Sequence, residues 1–183
     1  MNGPKILNLR WTIFALAVLL CGATLSGVAV AQGLGDAFKG FSADSDEPIQ
    51  IEADQLEVRD GEKVAVYAGN VRVRQGETVL KTAQLRVFYT GDAAGGVPGS
   101  SVSRIEASNR VVVQSGGKTA TGDSAVLEMA TERITLAGNV ILTEGDNIFR
   151  GQKLIVDLKT RKARMEGNRV QTILTPGRAK NKN

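Results

Sequence analysis

Hydrophobic and polar residues alternate with a period of two along most of the chain from Ile49 onward. Val71 and Val73, for example, alternate with two arginines. Successive side chains of a β-strand point to opposite faces, so this period is typical of half-buried strands. Beyond residue 31, no stretch has the sustained i, i+3, i+4, i+7 apolar spacing of an amphipathic helix. The pattern predicts an all-β fold, a solenoid-like stack of a dozen or more short antiparallel strands.

A short motif recurs along this alternating region. Ala68-Gly69-Asn70-Val71 and Ala137-Gly138-Asn139-Val140 are near copies, and weaker copies contain Asn109 and Asn168. The asparagines at 70, 109, 139 and 168 are therefore 39, 30 and 29 residues apart. Gly and Asn tolerate the positive φ angles of tight turns, so each copy is predicted to be a turn that starts a new strand. A period near 30 residues indicates units that bury their apolar faces by stacking.

A Gly-rich segment, Gly91–Ser101, accounts for the longer first spacing as an insertion of about ten residues. It lacks the phosphate-binding glycine patterns that open a helix. We expect a mobile surface loop here.

The inward face of the predicted strands is aliphatic and nearly free of aromatic residues. We predict that it lines an apolar slot between two sheets, able to take acyl chains because each buried CH₂ contributes about 0.8 kcal/mol. A core filled by the same side chains is the alternative, since a domain without disulfides needs a core. The predicted lipid-binding residues are Leu56, Val58, Val71, Val73, Leu85, Val87, Val111, Val113, Leu127, Met129, Leu136, Val140, Leu142, Leu154 and Val156.

The N-terminal 31 residues have the layout of a secretory signal peptide. Lys5 and Arg10 precede an apolar run, and Ala29-Val30-Ala31 is an A-x-A cleavage signal. Export to the periplasm is the prediction. The alternative is an uncleaved anchor, because residues 11–31 are long enough to span a bilayer. A mature N-terminus at Gln32 would exclude the anchor.

The rest of the chain divides into three predicted parts. A Gly-, Asp- and Ser-rich leader over 32–47 is predicted to be flexible, the β-domain covers 48–176, and a basic, disordered tail covers 177–183.

Charge and residue types exclude several classes of function. Removal of Lys5 and Arg10 lowers the net charge from +4 to +2, and Arg178, Lys180 and Lys182 supply +3 of the remainder. Residues 32–177 then carry about −1, and aromatics make up only 4% of the chain. A nucleic-acid binder needs a basic face and stacking platforms, so none is predicted.

The chain offers little for catalysis. It has no histidine, and its one cysteine, Cys21, lies in the predicted signal peptide. Zinc sites of the common types and nucleophiles activated by histidine are thereby excluded. Glu57, Glu128 and Asp157 alternate with apolar neighbours, which places them on the wet face. The sequence predicts no catalytic residue, no metal site, no cofactor and no enzyme activity.

Both ends of the predicted stack are open. The first strand region, Ile49–Val58, and the last, Arg169–Leu174, would present unpaired backbone groups. Pro48 and Pro176 lie just outside them and do not block them. Open edges predict head-to-tail pairing of the chain with itself or with partners of the same fold.

Four stretches together resemble a known family. They are Pro48-Ile49-Gln50-Ile51-Glu52-Ala53-Asp54, Ala68-Gly69-Asn70-Val71-Arg72-Val73, Ala137-Gly138-Asn139-Val140 and Gly151-Gln152-Lys153-Leu154, after a cleavable signal. Over 48–176 the chain resembles the OstA-like family of periplasmic lipopolysaccharide-transport bridge proteins. Its departure from the family pattern is the Gly91–Ser101 loop.

The resemblance implies a twisted, open β-jellyroll whose interior carries the acyl chains of lipid A. It also implies end-to-end stacking that connects an inner-membrane and an outer-membrane lipopolysaccharide-transport protein of the same fold. If residues 11–31 stay attached, the chain would instead be the inner-membrane-anchored component of the same pathway.

Overall fold

The structure is a computed structural model that describes residues 36–38, 40–41, 47–91 and 101–176. The predicted signal peptide, most of the leader, residues 92–100 of the Gly-rich loop and the basic tail lie outside the described residues. Among the described residues, no helix has the length and apolar character needed to cross a membrane.

The described chain forms one antiparallel sheet of ten strands, with two short 3₁₀ segments at Asp36–Phe38 and Asp60–Glu62. The strands are β1 (Gln50–Glu52), β2 (Gln55–Arg59), β3 (Val64–Gln75), β4 (Thr78–Thr90), β5 (Ser101–Ser115), β6 (Lys118–Glu128), β7 (Arg133–Glu144), β8 (Asn147–Asp157), β9 (Lys162–Glu166) and β10 (Gln171–Ile173).

The predicted all-β class is confirmed, but the prediction of a dozen or more short strands is wrong. Six of the ten strands, β3 to β8, are 11 to 15 residues long.

Each long strand bends near its middle, so the sheet folds into two limbs. The first limb contains β2, β9 and residues 64–68, 84–90, 101–108, 124–128, 133–137 and 153–157 of the long strands. The second limb contains β1, β10 and residues 71–75, 78–82, 111–115, 118–122, 140–144 and 147–151. The sheet has one edge formed by β1 and β2 and the other formed by β9 and β10.

The bend is where the recurring Gly-Asn motif lies. Gly69 and Asn70 have φ angles of 77° and 45°, and Gly138 and Asn139 have 78° and 46°. The prediction that these pairs end one strand and start another is wrong. On both sides of Gly69-Asn70 the chain pairs with the same neighbour, β4, so the motif makes a kink inside β3. Positive φ angles occur in bulges as well as in turns, so a Gly-Asn pair alone does not distinguish a kink inside a strand from a turn between strands.

An aspartate holds each of these corners. Asn70 Nδ2 donates to Asp54 Oδ2 over 2.8 Å, and the Asp54 amide donates to the Gly69 carbonyl over 3.0 Å. A Cβ added to Gly69 would collide with the Asp54 side chain. Glycine is therefore required both for its φ angle and for the space.

The second corner repeats this arrangement. Asn139 Nδ2 donates to Asp123 Oδ2 over 2.9 Å, and a Cβ on Gly138 would collide with Asp123. Each residue lies 69 positions after its counterpart in the first corner. The domain therefore contains two structural copies, in which an aspartate that the asparagine spacing does not reveal is part of the repeated unit.

The two rims of the folded sheet differ in their connections. At the tip of the second limb, two-residue turns join β3 to β4, β5 to β6 and β7 to β8, with Gly76, Gly116, Gly117 and Gly145 at positive φ. At the tip of the first limb the connections are longer, and the β4–β5 connection contains the Gly-rich insertion. The core lies between the limbs, whose inner faces supply one cluster of buried side chains.

Candidate functional site

The space between the limbs is an apolar groove, and most of the predicted lipid-binding residues line it. Eleven of the fifteen are buried: Val71, Val73, Leu85, Val87, Val111, Val113, Leu136, Val140, Leu142, Leu154 and Val156. Val58, Leu127 and Met129 are half-buried and pack against the same cluster or line its cavity.

Leu56 differs from the other fourteen because its side chain is 52% exposed. It pairs with Tyr67 across β2 and β3, which puts it on the inner face. However, β2 is the edge of the first limb, so no further strand covers it. Alternation along the chain identifies the face of a residue but not its distance from an edge.

The register arranges the inner side chains in rows that cross the whole sheet. In the first limb one row is Leu56, Tyr67, Leu85, Ala107, Ala125, Leu136, Leu154 and Met165. In the second limb the matching row is Ile51, Val73, Leu80, Val113, Ala120, Leu142, Phe149 and Thr172. An apolar surface thus runs between the limbs from one edge of the sheet to the other.

Part of the predicted flexible leader lies inside this groove. Ala37 is fully buried, Phe38 is 1% exposed, and Phe41 packs against the same core. The 3₁₀ segment that contains Ala37 and Phe38 contacts β5 and β6. The leader prediction is therefore wrong for the residues of this segment that the structure describes, because two aromatic side chains give it apolar surface to bury.

Little empty space remains in the groove. The cavity between the limbs measures about 80 Å³ and is bounded by residues of both limbs, among them Val73, Ala107 and Ala125, and by Phe38 and Phe41. An engineered apolar cavity of about 150 Å³ binds one benzene molecule, so the space that remains between the limbs is smaller than an aromatic ring requires. The sequence left open whether the interior is an empty slot or a core filled by side chains. In the structure, side chains of both limbs and of the leader occupy most of it.

The groove carries almost no polar chemistry. The buried polar residues of the described chain are Gln75, Thr78 and Thr82. Thr82 Oγ1 donates to the Ser108 carbonyl over 2.6 Å, and no buried side-chain nitrogen or oxygen in the described residues lacks a partner. Burial raises the pKa of the Tyr67 phenol, which therefore stays neutral at physiological pH.

Glu57 and Asp157 accept hydrogen bonds at the surface of the domain. The hydrogen bond from Arg59 lowers the pKa of Glu57, and the backbone amide of Thr160 lowers the pKa of Asp157. Both groups are therefore ionised at neutral pH and lie outside the groove. Within the described residues, no group of three or more His, Cys, Asp or Glu side chains could hold a metal ion.

The two edges of the sheet carry exposed apolar side chains. Ile49 and Leu56 lie at the β1–β2 edge, and Val170, Ile173 and Leu174 lie at or beside β10. Edge strands also present unpaired backbone groups. Each edge therefore combines the two features that favour strand addition.

Comparison with known proteins places this architecture in a family. A sequence model described as "LptA/(LptD N-terminal domain) LPS transport protein" matches residues 50–162, which is more than half of the chain. The chain belongs to this LptA/LptD N-terminal family. The family resemblance seen in the sequence is thereby confirmed. The family is described as one of transport proteins, in agreement with the prediction that the chain is not an enzyme.

Two further comparisons are with individual proteins. An uncharacterized protein of Rhizobium meliloti (strain 1021) is 40% identical over 120 residues, which are 64% of each chain. The chain thus spans just under two thirds of that relative. The crystal structure of LptH, described as the LptA-homologous periplasmic component of the lipopolysaccharide transport device of Pseudomonas aeruginosa, is similar with a TM-score of 0.59 at 19% identity. That match covers 71% of this chain and 96% of LptH, and it confirms the fold.

Proposed function

We propose that this protein binds lipopolysaccharide in the periplasm and shields the acyl chains of lipid A between the two limbs. The observation that carries the proposal is the apolar inner surface that runs from edge to edge of the sheet. Such a surface fits a multi-chain lipid and offers no group for catalysis. At about 0.8 kcal/mol for each CH₂, burial of ten methylenes contributes about 8 kcal/mol.

The limbs are joined along the bend, and this geometry supports entry of a lipid. Three of the long strands pass from one limb to the other at a kink where the register shifts. The kinks are near Asn70 in β3, Asn109 in β5 and Asn139 in β7. Away from the bend, side-chain packing holds the limbs together. Separation of the limbs would therefore exchange packed side chains for acyl chains while the strand pairing stays intact.

Export is the second part of the proposal, and it rests on the signal-peptide layout of residues 1–31. Sequencing of the N-terminus of the protein recovered from periplasmic extracts should give Gln32. Recovery of the protein only from membranes, with residues 11–31 attached, would favour the inner-membrane-anchored component instead.

Head-to-tail assembly is the third part. We infer that the β1–β2 edge of one molecule pairs with the β9–β10 edge of the next. Both edges expose apolar side chains, and their strands have a neighbour in the sheet on one side only. Such stacking would make the groove continuous from one molecule to the next. Partners of the same fold in the inner and outer membranes would join the stack at its two ends.

Site-specific crosslinking tests the groove. Photo-reactive residues at Val73, Val113 and Leu142, all in the inner row of the second limb, should label lipopolysaccharide in cells. The matched controls are Arg72 and Ile141, which neighbour two of these positions and point to the outer face. Equal labelling at the inner and outer positions would contradict the proposal.

A pair of edge variants tests the assembly. Leu56→Asp should block the β1–β2 edge and Ile173→Asp the β10 edge, so each variant alone should sediment as a monomer. Their mixture should give dimers that grow no further, because one intact edge of each kind remains. Ala83→Asp, at an exposed position away from both edges, is the control and should assemble like the unmodified protein. Dimers formed by either edge variant alone would rule out head-to-tail pairing.

A further inference from the structure

The inner segment, defined here as residues 36–38 and 40–41, fills the middle of the groove without belonging to the sheet. Ala37 and Phe38 are buried, whereas Glu47 and Pro48, which precede β1, are exposed. The inner segment thus lies in the interior, and the chain is at the surface at Glu47, before its first strand. An apolar interior is occupied here by a piece of its own chain.

The sheet provides a fitted place for this segment. The inner row of the first limb consists mainly of large side chains, but β5 and β6 contribute Ala107 and Ala125. The 3₁₀ segment contacts both of these strands, and both alanines border the same cavity as Phe38. Small side chains at these two positions leave more room in the cavity that Phe38 also lines.

Within the described residues, the inner segment belongs to no strand pair, and its Phe38 side chain is buried. The amide of Phe41 donates to the carbonyl of Phe38 over 3.0 Å, a bond within the segment itself. Gly40 lies against the second limb so closely that an added Cβ would collide with the Thr78 side chain and come within 3.1 Å of the Gln75 carbonyl oxygen. A segment held in this way can leave the groove while every strand pair of the sheet remains.

We infer that the inner segment is a displaceable plug. It occupies the binding site for the acyl chains in the lipid-free protein and leaves this site when lipid binds. This inference rests on the proposed lipid-binding function and adds the order of events. With Phe38 in place, about 80 Å³ remains, which is too little for an acyl chain. Exchange of the plug for lipid would also keep the apolar surface covered in both the lipid-free and the lipid-bound protein, which limits aggregation.

The plug makes a quantitative prediction for affinity. Lipid must bind the fraction of molecules in which the plug is out, so the apparent Kd is raised by the inverse of that fraction. A variant that weakens docking of the plug should therefore bind lipid more tightly. An ordinary core residue would behave in the opposite way, because its loss would damage the binding site.

Affinity for purified lipopolysaccharide in mild detergent provides the first measurement. Phe38→Ala removes the ring, and Gly40→Ala keeps both phenylalanines but introduces the clash with Thr78. Each should lower the apparent Kd by about tenfold, the change expected if one molecule in ten is unplugged in the native protein. Gly61→Ala is the matched control, because a Cβ there meets no atom within 4 Å, and it should leave the Kd unchanged.

The outcomes separate the plug from the proposed function. If neither the native protein nor any variant binds lipopolysaccharide, the proposed function fails and the plug fails with it. If all of them bind with one Kd, or if the two plug variants bind more weakly, lipid binding stands and the plug is overturned.

Thiol labelling provides a second, independent readout. Ala37→Cys, in a chain whose only native cysteine has been replaced by Cys21→Ser, places a small thiol at a buried position of the inner segment. It should react slowly with maleimide in the lipid-free protein and about tenfold faster with lipopolysaccharide bound, as one unplugged molecule in ten requires. Ala83→Cys, at an exposed position, should react equally in both states. Protection of the thiol at position 37 that persists in the lipid-bound protein would contradict displacement.

Discussion

The two structural copies of the domain, related by a shift of 69 residues, have the same local geometry and different surroundings. Beyond the Asp-Gly-Asn corners, Lys63 and Glu132 both have left-handed backbones, with φ of 53° and 49°. Their carbonyls accept from the amides of Tyr89 and Leu158 over 3.0 and 2.9 Å. The surroundings differ at the preceding strand, where Leu56 is 52% exposed and its counterpart Ala125 is 7% exposed.

The difference has a simple origin in the order of the strands. In the second copy the strand that carries Asp123 is β6, continuous and paired on both sides. In the first copy the equivalent chain is broken at Asp54 into β1 and β2, which pair on one side only. One repeat position is therefore interior in one copy and edge in the other. Another strand added at the β1–β2 edge would make the two copies alike, and this is the contact that head-to-tail stacking would supply.

The largest expected effect is at that repeat position. Ala125→Asp would bury a carboxylate with no partner and should destabilise the domain by about 4 kcal/mol or more. Leu56→Asp places the same group at the edge and should change the free energy of unfolding of the monomer by less than about 0.5 kcal/mol. Urea unfolding at low protein concentration measures both values. Similar losses for the two variants would mean that the edge and the interior are not distinct.

A smaller contrast is expected at the two corner glycines. Gly138→Ala introduces a positive-φ side chain and a clash with Asp123, which β6 holds between two neighbouring strands. We expect a loss of about 3 kcal/mol. Gly69→Ala meets Asp54, which lies in the break between β1 and β2 and has room to move, so we expect about 1.5 kcal/mol. The shift of the urea midpoint at constant slope gives the comparison, and a larger loss at Gly69 would reverse it.

The smallest effect is expected for the corner hydrogen bonds themselves. Asp123→Ala and Asp54→Ala each remove one bond from the exposed asparagine amide and should cost about 1 kcal/mol apiece. The second use of these variants is a double-mutant cycle. Asp123→Ala also removes Oδ2 and Cγ, two of the three atoms that a Cβ at position 138 would meet, and leaves the Asp123 Cβ at 2.7 Å. Adding it to Gly138→Ala should therefore recover part of the loss, about 0.5 kcal/mol. Strict additivity of the two losses would show that Oδ2 and Cγ contribute nothing to the clash.

The alternation in the sequence was sufficient to predict the class of fold and the inner face. Val71 and Val73 are buried and Arg72 and Arg74 are exposed, as a period of two requires. Eleven of the fifteen residues selected in this way are buried between the limbs. The prediction succeeded because each assignment depends only on neighbours along the same strand. Their role in lipid binding stays a prediction.

Two features could not be obtained in the same way. A Gly-Asn pair at positive φ is compatible with a turn between strands and with a kink inside one, and only the pairing partner on each side distinguishes them. The docking of Phe38 depends on the alanines of β5 and β6, about 70 and 90 positions away in the sequence. The available signal was the presence of Phe38 and Phe41 in a leader that otherwise consists mostly of small and polar residues.

The two rims of the folded sheet differ in how well their connections can take inserted residues. Three two-residue turns fix the tip of the second limb, and an added residue there would shift the register of a hairpin and reverse the inner and outer faces. The tip of the first limb has longer connections, and the β4–β5 connection already carries the inserted glycine-rich residues. Sequence variation and engineered tags alike are therefore best tolerated on that rim, where a reporter domain could be inserted without changing the pairing of any strand.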